Sequence, residues 1–164
     1  RILETIRAWA EKAFPLSEPL LDVARVLSPS DFGLHNTIRT PNGTMVFVDF
    51  EFFGWDDPAK LAADFLLHPA MRLSEGDKRQ FAGRLRDELR EGDSLAKRLP
   101  VTYSLHAVKW SLILLNEFVP EHLARRRFAG DTRRDDFLLA EQLVKAQRLA
   151  DHVQNNNRDF PYFG

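Results

Sequence analysis

The chain has 164 residues, of which 44% are hydrophobic and 29% are charged, so it can build the core of one domain and cannot be disordered throughout. Lys and Arg together number 23 and Asp and Glu number 24, a balance that lacks the basic excess typical of nucleic-acid binding. The absence of cysteine excludes a disulfide framework, a thiol nucleophile and a cysteine-based zinc site.

The first part of the chain predicts helices that end at loop-forming residues. Hydrophobic residues at helical spacing predict a first helix over Ile2 to Ala13, which Pro15 brings to an end. We predict a second, short helix over Leu20 to Leu27. Residues 28–33 combine proline, serine, aspartate and glycine, so we expect a loop there.

A β-hairpin is the only β structure that the sequence predicts. Two short runs rich in β-branched and apolar residues cover His35 to Arg39 and Thr44 to Phe50. The turn Pro41-Asn42-Gly43 lies between them, and such a turn between two strand-like runs is typical of a hairpin.

Beyond Gly54 the pattern is helical. Asp57 followed by Pro58 predicts the start of a helix that Pro69 ends, because Asp caps a helix and Pro suits its first turn. Ser74 and Asp77 have the spacing of a capping box and predict a charged helix to about Glu91.

Two longer helices are predicted over Thr102 to Phe118 and Arg133 to Gln154. The second should bury one face, which contains Leu139, Leu143, Ala146, Ala150 and Val153. We expect the tail, residues 155–164, to be loosely held. The sequence therefore predicts a single domain over residues 1–164 that is mainly α with a small β-hairpin.

Three polar residues around the hairpin indicate chemistry. Asp31 and Asn36 flank the start of the first strand, and Asp49 lies at the end of the second, so a hairpin can bring their side chains to one place. One carboxylate can accept a proton from a hydroxyl group, while the other carboxylate and the amide oxygen are ligands that suit Mg²⁺. This combination serves phosphoryl transfer, in which positioning and charge neutralisation by metal provide most of the catalysis.

Three segments, two of which contain these residues, resemble one known superfamily. The segment from Ser30 to Asn36, with sequence SDFGLHN, is similar to the catalytic loop of aminoglycoside phosphotransferases and choline kinases, a branch of the protein-kinase-like fold. The segment from Val48 to Glu51 resembles the metal-binding segment of that family, and Gly54 to Ala59 resembles the stretch that follows it. Three motifs in the right order, with the catalytic and metal-binding segment at 28–57, make the resemblance specific.

The resemblance implies a role for each matching residue. Asp31 is the expected catalytic residue, while Asn36 and Asp49 are the expected ligands of the Mg²⁺ that accompanies ATP, with Glu51 as an additional candidate. The chain departs from the family at Pro29 and Gly33, where histidine or a basic residue is usual, and His35 lies just before Asn36 instead.

Further features of the family are missing upstream of Asp31. The eight glycines include no Gly-x-Gly, and no lysine lies in a strand-like run before the catalytic loop. The resemblance therefore covers only the C-terminal helical lobe of a kinase-like protein. The N-terminal lobe that clamps the nucleotide is expected to be a partner supplied by the same parent protein.

Two functions remain open at this point. The first is an ATP-dependent phosphotransferase that phosphorylates a hydroxyl group of a small molecule, with this fragment alone expected to be inactive. The second is a catalytically inactive, pseudokinase-like binding module. No pair among His68, His106, His122 and His152 has metal-ligand spacing with a carboxylate, so we expect no zinc site.

The sequence also gives expectations for location and partners. No apolar run approaches the roughly 20 residues needed to cross a bilayer, and no signal peptide opens the chain. We expect a soluble, cytoplasmic protein that binds neither membrane nor nucleic acid. Asp64 is expected to be either a buried partner of the catalytic loop or a solvated helix residue.

Overall fold

The chain is mainly helical, with two small antiparallel sheets between its first and second α-helices. The computed structural model describes residues 2–15, 17, 19–89, 92–156 and 160–163. The elements, in chain order, are α1 (Ile2–Ala13), β1 (Val26–Ser28), β2 (Thr37–Arg39), β3 (Met45–Phe47), β4 (Gly54–Asp56), α2 (Pro58–Leu67), α3 (Glu75–Glu88), α4 (Gly92–Leu114), α5 (Pro120–Phe128) and α6 (Asp135–Asn156). Over these ranges no helix is both long and apolar enough to cross a membrane.

The core lies where α4 packs between α2 and α6. Helix α2 contributes alanines that are fully buried, and α4 contributes Leu95 and Leu99, which are also fully buried. Small side chains on α2 allow its backbone to approach α4 closely, since alanine adds little width to a helix. The core residues of the three helices are Ala59, Ala62, Ala63, Leu66, Leu95, Leu99, Tyr103, Ala107 and Val153.

Local sequence signals predicted several helix boundaries correctly. Helix α1 has the predicted bounds, and Asp57 caps α2 by accepting a hydrogen bond from the Ala59 N–H at 2.8 Å. Ser74 and Asp77 form the capping box of α3, with each side chain accepting from the other residue's backbone N–H. The predicted end of α3 at Glu91 lies outside the described residues.

Other predicted boundaries were wrong. Residues 20–27 form a 3₁₀ turn at Asp22–Ala24 and the strand β1, because β1 pairs with β4 from Val26↔Asp56 to Ser28↔Gly54. Helix α4 begins well before Thr102 and continues through Pro100, since burial of Leu95 and Leu99 offsets the hydrogen bond that proline removes. It gives way to a 3₁₀ turn at Leu115–Phe118.

The C-terminal tail and the face of α6 also differ from expectation. Phe160 and Tyr162 are buried in the core, and the hydroxyl groups of Tyr103 and Tyr162 are 3.3 Å apart. Helix α6 buries Leu138 completely and leaves Leu143 40% exposed, whereas Ala146 and Val153 are buried as predicted. Because Phe137, Leu138 and Leu139 are all apolar, the sequence does not decide which of them belongs to the buried face of α6.

A row of stacked rings attaches the predicted hairpin, β2 and β3, to the helices. The Phe32 ring stacks on Phe47 of β3 at 4.9 Å and on Phe65 of α2 at 5.5 Å between centroids. Phe65 stacks in turn on Phe81 of α3 at 4.1 Å. Because Phe32 directly follows Asp31, this row fixes residues 28–36, here called the site loop, between the hairpin and the helical core.

Candidate active site

The loop before β2 holds Asp31 at the end of a tight turn. The Asp31 N–H donates to the Pro29 carbonyl at 2.7 Å, which closes a three-residue γ-turn around Ser30. Ser30 has a φ of 64°, so this is the strained, positive-φ form of the turn. The Lys60 ammonium on α2 donates to the Ser30 hydroxyl at 2.8 Å and thereby ties the turn to the helical core.

The side chain of Asp31 is half exposed and held by two neighbours. The His35 ring donates from Nε2 to Asp31 Oδ1 at 3.0 Å. The Asn36 amide nitrogen donates to the Asp31 carbonyl at 3.0 Å and to Asp31 Oδ2 at 3.3 Å. The carboxylate is therefore fixed in orientation and still open to solvent, as a proton acceptor requires.

Asp49 lies one residue beyond the pairing partner of Asn36. The Val48 N–H donates to the Asn36 carbonyl at 2.9 Å, and the hairpin continues this pairing with Thr37 opposite Phe47. Asp49 has a φ of 64° and is exposed. Among the described residues, neither its carboxylate nor that of the exposed Glu51 makes a hydrogen bond or an ion pair.

The oxygens available here suit a hard cation. Asn36 uses its amide nitrogen toward Asp31, and its Oδ1 accepts no hydrogen bond from the part of the chain described. Carboxylate and amide oxygens are the ligands that Mg²⁺ prefers. Asn36 and Asp49 are thus the residues that could hold Mg²⁺, because their side-chain oxygens are not engaged by other described residues.

Gly33 provides the space in which the His35 ring lies. A Cβ at position 33 would lie 2.5 Å from His35 Cε1 and 2.6 Å from His35 Nδ1, and 2.8 Å from the Met71 sulfur. The Met71 sulfur itself accepts a hydrogen bond from the Leu34 N–H at 3.0 Å. A side chain at position 33 and this placement of His35 are therefore mutually exclusive.

His68, at the end of α2, stacks on His35 and was not predicted to belong to the site. The two rings are parallel within 1° with centroids 3.9 Å apart, and Trp110 packs edge-on against His68 at 4.5 Å. Burial, followed by the charge of His35, lowers the pKa of His68. His68 is far from Asp31 in sequence, so no local spacing could have indicated this contact.

Asp64 joins α2 to α4, and within the described part of the chain it makes no direct hydrogen bond or ion pair with residues 28–36. Its carboxylate accepts hydrogen bonds from His106 at 2.8 Å, Lys109 at 2.7 Å and Trp110 at 3.0 Å. Burial opposes ionisation, but the hydrogen bonds and charges of His106 and Lys109 outweigh it and lower the pKa of Asp64 to about 2. Neither of the two roles expected for Asp64 is therefore correct.

Asp31, His35 and His68 form a cluster whose potential ligand atoms all lie within 4.8 Å of one another. The expectation of no zinc site rested on the spacing among His68, His106, His122 and His152, and it did not include the grouping of His68 with His35 and Asp31. Asp31 and His35 are four positions apart in the sequence, and His68 comes close to them through tertiary packing.

The chain was compared with models of protein families, with curated proteins and with solved structures, and none of them matches it. A function for this chain therefore rests on its own residues and their geometry.

Proposed function

We propose that this chain is the C-terminal helical lobe of an ATP-dependent phosphotransferase that phosphorylates a hydroxyl group of a small molecule. The observation that carries the proposal is the state of Asp31. Its carboxylate is solvent-accessible, oriented by His35 and Asn36, and next to a hairpin end at which Asp49 has no partner among the described residues. A proton acceptor beside free oxygen ligands is the equipment that phosphoryl transfer needs.

Asp31 is assigned the role of proton acceptor. The hydroxyl oxygen of the acceptor attacks the γ-phosphorus of ATP, the bond between that phosphorus and the bridging oxygen breaks, and ADP leaves. The proton of the hydroxyl passes to the Asp31 carboxylate. The His35 hydrogen bond to Oδ1 leaves Oδ2, held only by a longer 3.3 Å contact with Asn36, as the oxygen that takes it.

Asn36 and Asp49 are assigned to the metal that accompanies ATP, with Glu51 as a further candidate. When bound, Mg²⁺ neutralises charge on the phosphates. The residues contribute an amide oxygen and a carboxylate that are not used by the rest of the described chain.

Backbone strain supports this assignment. Three non-glycine residues in the described ranges have a positive φ: Ser30 and Asp49 at 64°, and Arg72 at 49°. Two of them belong to the proposed site, and the third follows Met71, which contacts the site loop. Strained backbone of this kind is concentrated at functional sites in proteins, because it persists only where the surrounding structure enforces it.

The proposed partner is an N-terminal, nucleotide-clamping lobe of the same parent protein. Large apolar side chains are exposed throughout residues 26–56, here called the strand region because they contain all four strands of the described chain. An apolar surface of this kind marks an interaction site. These side chains are Leu27, Leu34, Ile38, Met45, Val46, Phe47, Val48, Phe50, Phe52, Phe53 and Trp55. A cytoplasmic location is part of the same proposal, because ATP is supplied there.

The test measures phosphate transfer by the longer protein to which we assign this lobe, with amino alcohols, sugars and aminoglycosides as acceptors. We expect D31N to lower turnover by about 10²–10⁴-fold, as loss of a general base does, and D49N to raise the Mg²⁺ concentration that transfer requires. D151N is the matched control, since Asp151 is exposed on α6, and it should retain wild-type turnover.

The alternative function gives a different result. A pseudokinase-like binding module transfers phosphate to no acceptor, with or without these substitutions. Full activity of D31N, or an unchanged Mg²⁺ requirement in D49N, would show that the carboxylates are wrongly assigned. This chain alone should bind ATP weakly and turn over nothing, because the nucleotide clamp lies elsewhere.

A further inference from the structure

We propose that Asp31, His35 and His68 form a binding site for Zn²⁺ that is separate from the Mg²⁺ ligands Asn36 and Asp49. The potential ligand atoms of the three residues lie within 4.8 Å of one another. Two imidazoles and one carboxylate are a common set of protein ligands for zinc, with a fourth position left for water. Mg²⁺ prefers oxygen ligands, so imidazole nitrogens distinguish the two metals.

The contact between His35 and Asp31 is already close to a metal-binding arrangement. The 3.0 Å separation of His35 Nε2 and Asp31 Oδ1 is close to the spacing of two atoms that bind one zinc ion, so Zn²⁺ at about 2.0–2.2 Å from each atom could replace the proton between them. Coordination through Nε2 requires the ring proton to move to Nδ1. That atom is buried with no hydrogen-bond partner in the described structure, so no existing bond opposes the change of tautomer.

His68 is the ligand that must move. A metal ion lies in the plane of each imidazole that binds it, whereas the two rings are stacked in parallel at 3.9 Å. The His35 ring is held by the hydrogen bond from its Nε2 to Asp31 Oδ1, and its Nδ1 is buried. Among the described residues, rotation of the His68 ring about its Cβ–Cγ bond gives up one hydrogen bond, which the Ala70 N–H donates to Nδ1 at 3.2 Å, and changes the ring contacts with His35 and Trp110.

Burial makes His68 a suitable ligand. Zinc binds the neutral form of imidazole, and the half-buried His68 ring lies against the rings of His35 and Trp110, where a charged form would lose solvation. The site is also accessible, because Asp31 is exposed while the two histidines are half-buried. A cation therefore has a route to the carboxylate from solvent.

A consequence for catalysis rests on the proposed function. Zn²⁺ at this site takes the carboxylate that we assign as proton acceptor, so zinc should inhibit phosphate transfer that Mg²⁺ supports. Zn²⁺ would thus regulate, at Asp31, the phosphate transfer that depends on Mg²⁺.

The direct test titrates this chain with Zn²⁺ by calorimetry, without nucleotide or acceptor. Co²⁺ serves as a spectroscopic substitute, because tetrahedral cobalt absorbs visible light strongly. We expect one Zn²⁺ per chain and a tetrahedral cobalt spectrum. Loss of a hydrogen-bond partner of a metal ligand already costs 10–100-fold in affinity, so H68Q and D31N should each weaken zinc binding at least tenfold.

H122Q is the matched control, because His122 is exposed on α5 and does not belong to the cluster. It should bind zinc as the wild-type chain does. Zinc affinity that is unchanged in H68Q or in D31N overturns the site, and so does an equal loss in H122Q. Circular dichroism of each variant checks the fold, and D31N changes an exposed residue, so it remains informative if H68Q is destabilised.

The second arm measures inhibition in the longer protein. Half-inhibition by zinc in H68Q should require at least a tenfold higher zinc concentration, with each protein's own zinc-free rate as reference. If the wild-type protein transfers phosphate and zinc binds without inhibiting it, the regulatory role is wrong while the site stands. If it transfers no phosphate, the proposed function fails, and the calorimetric result still decides the zinc site.

Discussion

The helical core and the strand region differ in burial: the core buries large apolar side chains, and the strand region exposes many of them. In the core, Leu95 and Leu99 of α4 are fully buried. In the strand region, Leu27 and Ile38 are each more than half exposed, and Trp55 is 67% exposed. The core around Leu95 and Leu99 is therefore closed to solvent, whereas the strand region exposes apolar surface and, at Asp49 and Glu51, acidic groups that have no partner among the described residues. The site loop lies at the junction of the two.

The largest expected contrast comes from truncating one residue in each region. L99A removes a fully buried side chain and should lower the free energy of unfolding by about 2–5 kcal/mol. I38A removes a similar side chain that is 57% exposed and should change it by less than about 1 kcal/mol. Urea denaturation of both variants measures the difference.

Equal losses in these two variants would contradict the comparison. They would mean that the strand region folds onto apolar groups as extensively as the core does. A copy of the chain covering that region would also raise the cost of I38A, and dependence of the unfolding midpoint on protein concentration would reveal it.

Asp64 gives the next largest effect, because it joins two helices of the core. Its pKa falls from 3.8 to about 2 on folding, so it stabilises the fold fully above pH 4, and this contribution is lost as the pH falls through about 2. The lost contribution is about 2 kcal/mol. The free energy of unfolding, measured in urea from pH 5 to pH 2, should fall by that amount more in the wild-type chain than in D64N.

D151N is the control for this measurement and should follow the wild-type pH dependence. Because other carboxylates also titrate over the same range, the difference between the wild-type chain and D64N is the informative quantity. Parallel pH curves for these two proteins would show that the contacts with His106 and Lys109 do not stabilise the folded state.

The smallest expected effect concerns the row of rings between the two regions. F47L removes one stacked pair with Phe32 and should cost about 0.5–1.5 kcal/mol. F128L changes a ring that is 96% exposed and should cost less than about 0.5 kcal/mol. Hydrogen exchange should become faster in β2 and β3 of F47L, while the amides of α4 keep their rates. Uniformly faster exchange in both regions would mean that the hairpin and the core open together.

Features with a local cause could be predicted from the sequence. Asp57 with Pro58, and Ser74 with Asp77, begin helices because their side chains bond backbone groups two or three residues away. The Pro-Asn-Gly turn likewise brings β2 and β3 together. Strand β1 was missed because its partner β4 is distant in sequence, and residues 20–27 carry no signal of that pairing.

The candidate site likewise combines contacts between residues close in the sequence with a contact that depends on tertiary packing. Asp31, His35 and Asn36 lie within six residues of one another, and the sequence indicated that Asp31 and Asn36 belong together. His68 was not predicted, because its contact with His35 depends on where α2 ends against the loop. The role of Gly33 was not predicted, because the His35 ring occupies the space that a side chain at position 33 would need, and this is visible only in the structure.

The sequence alone determined that this protein is mainly helical, where most of its helices begin, and which polar residues flank the hairpin. These properties depend on capping, on apolar periodicity and on turn chemistry, all of which act between residues close in the chain. Only the tertiary structure decided that His68 stacks on His35, that Asp64 joins α2 to α4, and that the tail packs into the core. Those contacts join residues separated by dozens of positions, and only the packing of whole helices brings such residues together.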